Sequence, residues 1–145
     1  MKHHRLLPCL LLLACAGKGA DDSSASTCPE GQPCITITSP ADGSTIPTCL
    51  DMTVRVTNLT IVSPADHDTP VDGEGHWQME INERPLLIPC EDLECRFTLD
   101  GFDDGPVSVV AVLADNTYVK LTDADGAFIS DSGTYTLAGD GVVCP

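Results

Sequence analysis

His67 and His76 are the two histidines beyond the N-terminal segment. Both fall in the stretch Asp66-His67-Asp68-Thr69-Pro70-Val71-Asp72-Gly73-Glu74-Gly75-His76. Imidazole suits copper, zinc or nickel, and carboxylates can complete such a shell. A loop folded back on itself would offer His67, His76, Asp72 and Glu74 to a divalent metal. The plainer expectation is a solvated acidic loop, with His76 facing outward at the start of a strand. Asp100, Asp103 and Asp104 form a second acidic turn, and Asp123-Ala124-Asp125-Gly126 a third. Neither completes the twelve-residue calcium loop of EF-hands, and Asp and Gly serve tight turns in their own right. No Gly-x-Ser-x-Gly elbow, His-Glu-x-x-His or phosphate loop occurs. With no nucleophile nominated beside either histidine, the chain is expected not to be an enzyme and to need no cofactor.

Of the 8 cysteines, Cys9 lies in an apolar N-terminal run and Cys15 closes it. Cys28, Cys34, Cys49, Cys90, Cys95 and Cys144 remain, an even set that reads as disulfides in an exported small domain. Spacing suggests Cys28 with Cys34 and Cys90 with Cys95, leaving Cys49 for Cys144. Cys28–Cys144 with Cys34–Cys49 is the competing arrangement, because all four lie near the domain ends. A zinc site is disfavoured, since no Cys-x-x-Cys occurs.

The beginning of the chain sets the compartment. Lys2 and Arg5 precede an apolar stretch, Leu6 to Leu13, broken by Pro8. That is the form of a secretory signal peptide, and it is far shorter than the roughly 20 apolar residues that span a bilayer. Leu12-Leu13-Ala14-Cys15 resembles the lipobox of bacterial lipoproteins: leucine three before the cysteine, a small residue just before it, and the cysteine ending the run. The resemblance implies a lipid on Cys15, cleavage ahead of it and acylation of the new amino group. Several acyl chains together make a stable anchor where one would not. Ala16 rather than Asp follows the cysteine, which by resemblance to enterobacterial sorting favours the outer membrane.

Loss of residues 1–14 removes Lys2 and Arg5 and none of the 22 acidic residues, taking the net charge from −15 to −17. A surface of that sign repels nucleic acid and anionic lipid headgroups, so nucleic acid is excluded as a partner. Solubility is the plain reading of the charge, and loose attraction of cations follows from it.

The elements that must position these groups are strands. Residues 16–27 are small, polar and aperiodic, a flexible stalk. The expected division is a signal peptide over 1–14, a lipidated N-terminus and linker over 15–33, and a β-domain over 34–145. Ile35-Thr36-Ile37-Thr38, Met52 to Thr57, Trp77 to Asn82 and Cys95 to Leu99 alternate apolar and polar residues, the period of half-buried strands. Ser39 to Ser44 is a turn cluster. Leu86-Leu87-Ile88, between Pro85 and Pro89, fits an edge strand. Val107 to Ala114 is apolar on both faces apart from Ser108, as befits a central strand. Residues 115–131 read as irregular, with a short strand near Tyr118, Val119 and Leu121, and Thr134 to Leu137 closes the domain. The fold expected is all-β, an immunoglobulin-like β-sandwich of about seven disulfide-bonded strands, with Trp77 packed between its sheets.

Ser39-Pro40-Ala41-Asp42-Gly43, Gly73-Glu74-Gly75-His76-Trp77 and Val109 to Asp115 together resemble uncharacterised exported bacterial sandwich domains with a Gly-x-Gly-His signature. In that group a second histidine usually follows two residues later, and residues two apart on a strand point the same way. The position here is Gln78, so only half of a His-x-His chelate remains. Two functions follow as expectations. One is a non-catalytic, lipid-anchored envelope module with a structural role or a macromolecular partner in the envelope. The other is a periplasmic transition-metal-binding protein using the loop from Asp66 to His76. The sequence does not fix an oligomeric state.

Overall fold

The computed structural model describes residues 28–139 and 144; the signal segment, Cys15 and the stalk over 16–27 lie outside the described residues. Among those residues nine strands form: β1 (Cys34–Ser39), β2 (Thr45–Ile46), β3 (Cys49–Thr57), β4 (Thr60–Ile61), β5 (Glu74–Ile81), β6 (Arg84–Cys90), β7 (Glu94–Thr98), β8 (Gly105–Ala114) and β9 (Ser130–Leu137). One 3-10 turn covers Pro64–Asp66. No helix among the described residues is long and apolar enough to cross a membrane.

The strands make an all-β sandwich. The smaller sheet runs β1-β3-β7, and the larger runs β2-β9-β8-β5-β4, with β6 also paired to β5. Alternation in the sequence becomes alternation in burial: Leu50, Met52 and Val54 of β3 and Tyr135 and Leu137 of β9 all point inward. Side chains of both sheets share one core, in which Trp77 of β5 meets Phe97 of β7 edge to face at 5.5 Å. The indole N–H of Trp77 donates to the Asp92 carbonyl at 2.7 Å, which satisfies its one polar atom. β8 lies between β5 and β9, the central place that its two apolar faces require, and β6 is the edge strand its prolines demand.

Turn chemistry sets the strand order. Ser39 to Ser44 carries the chain from the smaller sheet to the larger; the Asp42 carboxylate accepts from Thr134 N–H at 2.7 Å and the Thr134 carbonyl from Gly43 N–H at 2.7 Å. Asn82 and Glu83, both at positive φ, make the two-residue hairpin between β5 and β6. Positive φ at both central positions marks the turn whose twist matches the flanking strands. Three disulfides join Cys28 to Cys34, Cys49 to Cys144 and Cys90 to Cys95. They are the pairs that spacing and elimination suggest, and the competing arrangement is not formed. The last two each link an element of one sheet to an element of the other or to the chain beyond it. Three disulfides also place the domain in an oxidising, extracytoplasmic environment. Order reaches a little ahead of β1: Cys28 is bridged to its first residue, and Asn58 Nδ2 donates to the Gln32 carbonyl at 2.8 Å.

Candidate functional site

The strand β5 carries its chemistry on the face turned away from the core. Trp77, Met79 and Ile81 point inward. His76 and Gln78 point outward, yet His76 is 0% and Gln78 5% exposed. Their partners across the ladder are Ala114 and Val112 of β8, and those are equally buried. One end of the outer sheet face is therefore covered, and the residues that follow β8 cover it.

The two glycines of the Gly-x-Gly-His signature prepare this arrangement in different ways. Gly73 stands at φ +80 with open space around it, so it serves the turn into β5. Gly75 sits where a Cβ would lie 2.3 Å from the Ala114 carbonyl oxygen. Only a residue without a side chain lets β5 approach β8 at that point, and His76 is then set opposite Ala114.

The cover is a pair of like turns. Asp115 Oδ1 accepts from the backbone N–H of Thr117 at 2.7 Å and of Val119 at 3.0 Å, and from the Thr117 hydroxyl at 2.8 Å. Asp115 N–H donates to the Val119 carbonyl, and Tyr118 N–H to the Asp115 carbonyl. Eight residues later Asp123 repeats the plan, with Oδ1 accepting from Asp125 N–H and Ala127 N–H, both at 2.9 Å. Asp123 N–H donates to the Ala127 carbonyl and Gly126 N–H to the Asp123 carbonyl. The fourth residue of each turn is left-handed: Gly126 at φ +82 and Tyr118 at φ +66. A glycine takes that conformation freely, whereas a tyrosine pays about 1–2 kcal/mol for it. The cost is met where the tyrosine ring stands edge-on to His76 at 4.9 Å.

Beneath that ring the polar groups are few and enclosed. Gln78 Nε2 stands 3.0 Å from His76 Nε2. With the glutamine amide as donor, His76 Nε2 accepts and Nδ1 carries the proton. Nδ1 has no hydrogen-bond partner among the described residues, and neither do the side-chain oxygen and nitrogen of Asn116, itself 3% exposed. Burial pushes the His76 imidazole below its ordinary value, against the pull of the Asp115 and then the Glu91 carboxylate. Burial also pushes the Asp115 carboxyl upward; the Thr117 hydroxyl, the Val119 and Thr117 amides and the nearby imidazole more than offset this and hold it low. The result is a neutral imidazole shut from solvent beside a fixed carboxylate. It can accept or donate one hydrogen bond, and it has no open path to an outside substrate.

Outward from Tyr118 the same segment is exposed. Tyr118 is 50%, Val119 61% and Phe128 57% exposed. Lys120 pairs with Ala114 and Phe128 with Thr122 in isolated bridges. The Lys120 ammonium binds the Glu80 carboxylate and stands 4.9 Å from the centre of the Phe128 ring. The Phe128 ring thus stands against a neutralised ion pair, while the Tyr118 ring stands over His76.

The residues singled out in the sequence are distributed differently from the metal-site expectation. His67 Nε2 lies 3.1 Å from Glu74 Oε2, a close contact without hydrogen-bond alignment. Asp72 is exposed. His76 belongs to the covered face, with Gln78 and Tyr118 as its neighbours, and no group of three or more His, Cys, Asp or Glu side chains able to hold a metal forms among the described residues. The expectation that His76 faces solvent is corrected: it is fully buried, because the turn after β8 folds back over the end of β5. Sequence reasoning did not single out Asn116 or Tyr118. The repeated Asp at positions 115 and 123, each followed by a hydroxyl or carboxylate two residues on, is the signal that marks both turns.

No family model matches the chain, and neither does any curated protein. Among solved structures, an endo-β-1,4-mannanase from Thermotoga petrophila is similar at 9% identity with a TM-score of 0.47. The match covers 75% of this chain and 20% of that one, so the chain spans about a fifth of that protein's length.

Proposed function

We propose that this protein is a non-catalytic module of a bacterial cell envelope, tethered through a lipid on Cys15, that works by holding a partner on the outer face of its larger sheet. The observation that carries this reading is the exposure of Tyr118, Val119 and Phe128 on turns made rigid by Asp115 and Asp123. Exposed apolar side chains scattered singly need no explanation, but rings grouped on a pre-ordered segment suit contact. Because the turns are already fixed, little ordering entropy is spent on binding. The acidic surface keeps the domain off anionic headgroups, and the lipid, not the protein face, supplies the membrane attachment.

A second reading, transition-metal binding, draws support from the His67–Glu74 contact alone. The test of the first reading has two arms. Cys15→Ser is expected to abolish labelling by radioactive palmitate, and the double variant Tyr118→Ala/Phe128→Ala to lose most binding of the purified protein to isolated envelopes. Palmitate labelling that survives Cys15→Ser overturns the anchor. Envelope binding unchanged in the double variant overturns the role of this face.

A further inference from the structure

Beside the exposed Phe128 ring lies a shallow cleft of about 150 Å³, walled by Pro29, Gln32, Pro33, Asp123, Phe128 and Ser130 among others. We propose that this cleft seats one ring of a neutral polysaccharide. The inference rests on the contact function proposed above and names its ligand class.

Size limits the occupant first. Pockets for drug-sized molecules run to roughly 300–1,000 Å³, so this cleft takes a single ring or one side chain. Its lining is mainly apolar, with Cys34, Ile35 and Ile129 at its floor, and carries three polar residues. Phe128, Pro29 and Pro33 offer flat apolar area; Gln32, Asp123 and Ser130 offer donors and acceptors. A pyranose ring has the same division, with C–H groups on its faces and hydroxyls around its rim.

Charge decides between neutral and acidic polymers. The chain carries a formal −15. Lys120, the cation nearest the cleft's aromatic wall, is already bound to Glu80. Among the described residues the cleft contributes Asp123 and no cation. A polyanion therefore meets repulsion at long range and finds no free positive charge at contact. A neutral polymer meets neither obstacle. Asp123 fixes the turn just before Phe128 by accepting from Asp125 and Ala127 N–H, so the backbone that carries this aromatic wall is ordered before the polymer arrives.

The experiment is affinity electrophoresis of the full-length processed protein in detergent, through native gels containing a soluble β-glucan, a glucomannan, an arabinoxylan, alginate or no polymer. At least one neutral polymer is expected to retard the protein, and alginate is not. Phe128→Ala should weaken the retardation at least tenfold in apparent Kd, Phe128→Trp should preserve it, and Leu93→Ala, exposed elsewhere on the surface, should leave it unchanged. Unfolding midpoints of the variants, expected to equal the parent's, guard against a folding effect. No retardation by any neutral polymer, retardation by alginate, or equal loss in Leu93→Ala overturns the inference. Envelope binding that depends on Tyr118 and Phe128 without glycan retardation would sink the glycan while leaving the contact module standing, with a protein partner in its place.

Discussion

Gly75→Ala should be the most damaging single methyl in the domain. The added Cβ would lie 2.3 Å from the Ala114 carbonyl oxygen and 3.3 Å from its carbon. Ordinary contact begins near 3.4 Å, so the strands must part by about 1 Å. A neighbouring N–H···O bond near 2.9 Å would then stretch to roughly 3.9 Å, beyond hydrogen-bond range. The bonds at risk are those of the β5–β8 ladder beside His76 and Ala114. Forced overpacking costs about 1–3 kcal/mol, and each weakened bond about 0.5–1.5 kcal/mol. The expected loss is therefore about 2–4 kcal/mol, a large part of the roughly 5–15 kcal/mol that holds a small domain. Gly73→Ala is the control. It meets nothing within 4 Å and suffers only its φ of +80, worth about 1–2 kcal/mol. Urea unfolding of the non-reduced protein, followed by Trp77 fluorescence, gives both numbers. A Gly75→Ala loss below about 0.5 kcal/mol, or one smaller than that of Gly73→Ala, would refute the steric account of the signature glycines.

Three further outcomes follow from the geometry. The His76 imidazole is held below its ordinary value of 6.5, so the folded protein binds this proton less readily than the unfolded chain does. Its contribution is complete above about pH 6.5 and is lost as the pH falls from there toward the folded value; an NMR titration that places His76 at or above 6.5 contradicts its burial. Replacing both cysteines of Cys49–Cys144 by serine should cost about 4.7 kcal/mol, against about 2.5 kcal/mol for the Cys28–Cys34 pair, because the loop closed is far longer; denaturation midpoints in the reverse order would contradict the chain-entropy argument. Gln78→His sets a second imidazole where an amide already lies 3.0 Å from His76 Nε2. Calorimetry should then show copper or zinc affinity at least tenfold above the parent and indifferent to His67→Ala, and an unchanged affinity would mean that Tyr118 and Asn116 keep metal out.

Much of the sandwich was legible because its signals are local. Alternation around Met52, Trp77 and Phe97 belongs to strands that bury one face, and the doubly apolar stretch from Val107 to Ala114 can only be central. The cover over His76 was not legible for two reasons. Burial of the outer face at positions 76 and 78 depends on a turn some forty residues downstream, which no local period reports. Tyr118 also stands in a backbone region that its own type disfavours, so propensity argues against the conformation it adopts. In the sequence the acidic stretch around His67 reads as one unit with His76, but a strand start separates them. Glu74 and His76 lie on β5, while His67 approaches from the preceding loop and reaches Glu74 alone.

The disulfides also decide how the domain bears mechanical load. The Cys28–Cys34 ring bypasses the first residues, and the Cys49–Cys144 ring encloses everything from β3 onward. Between them only residues 35–48 lie outside a covalent loop. A pull on the N-terminal side against a partner held at Phe128 must first shear β1 from β3, breaking the run of paired residues from Cys34–Thr57 to Ser39–Thr53, and free Ile37 from Asp131. The yielded segment extends to about 50 Å; at Cys49 the load divides, one arm running forward along the ring and the other crossing the disulfide to Cys144 and back through β9 to Phe128. Phe128 lies inside that ring. The shorter arm, through β9, takes the load first, and β3 to β8 lie on the longer arm, shielded from it.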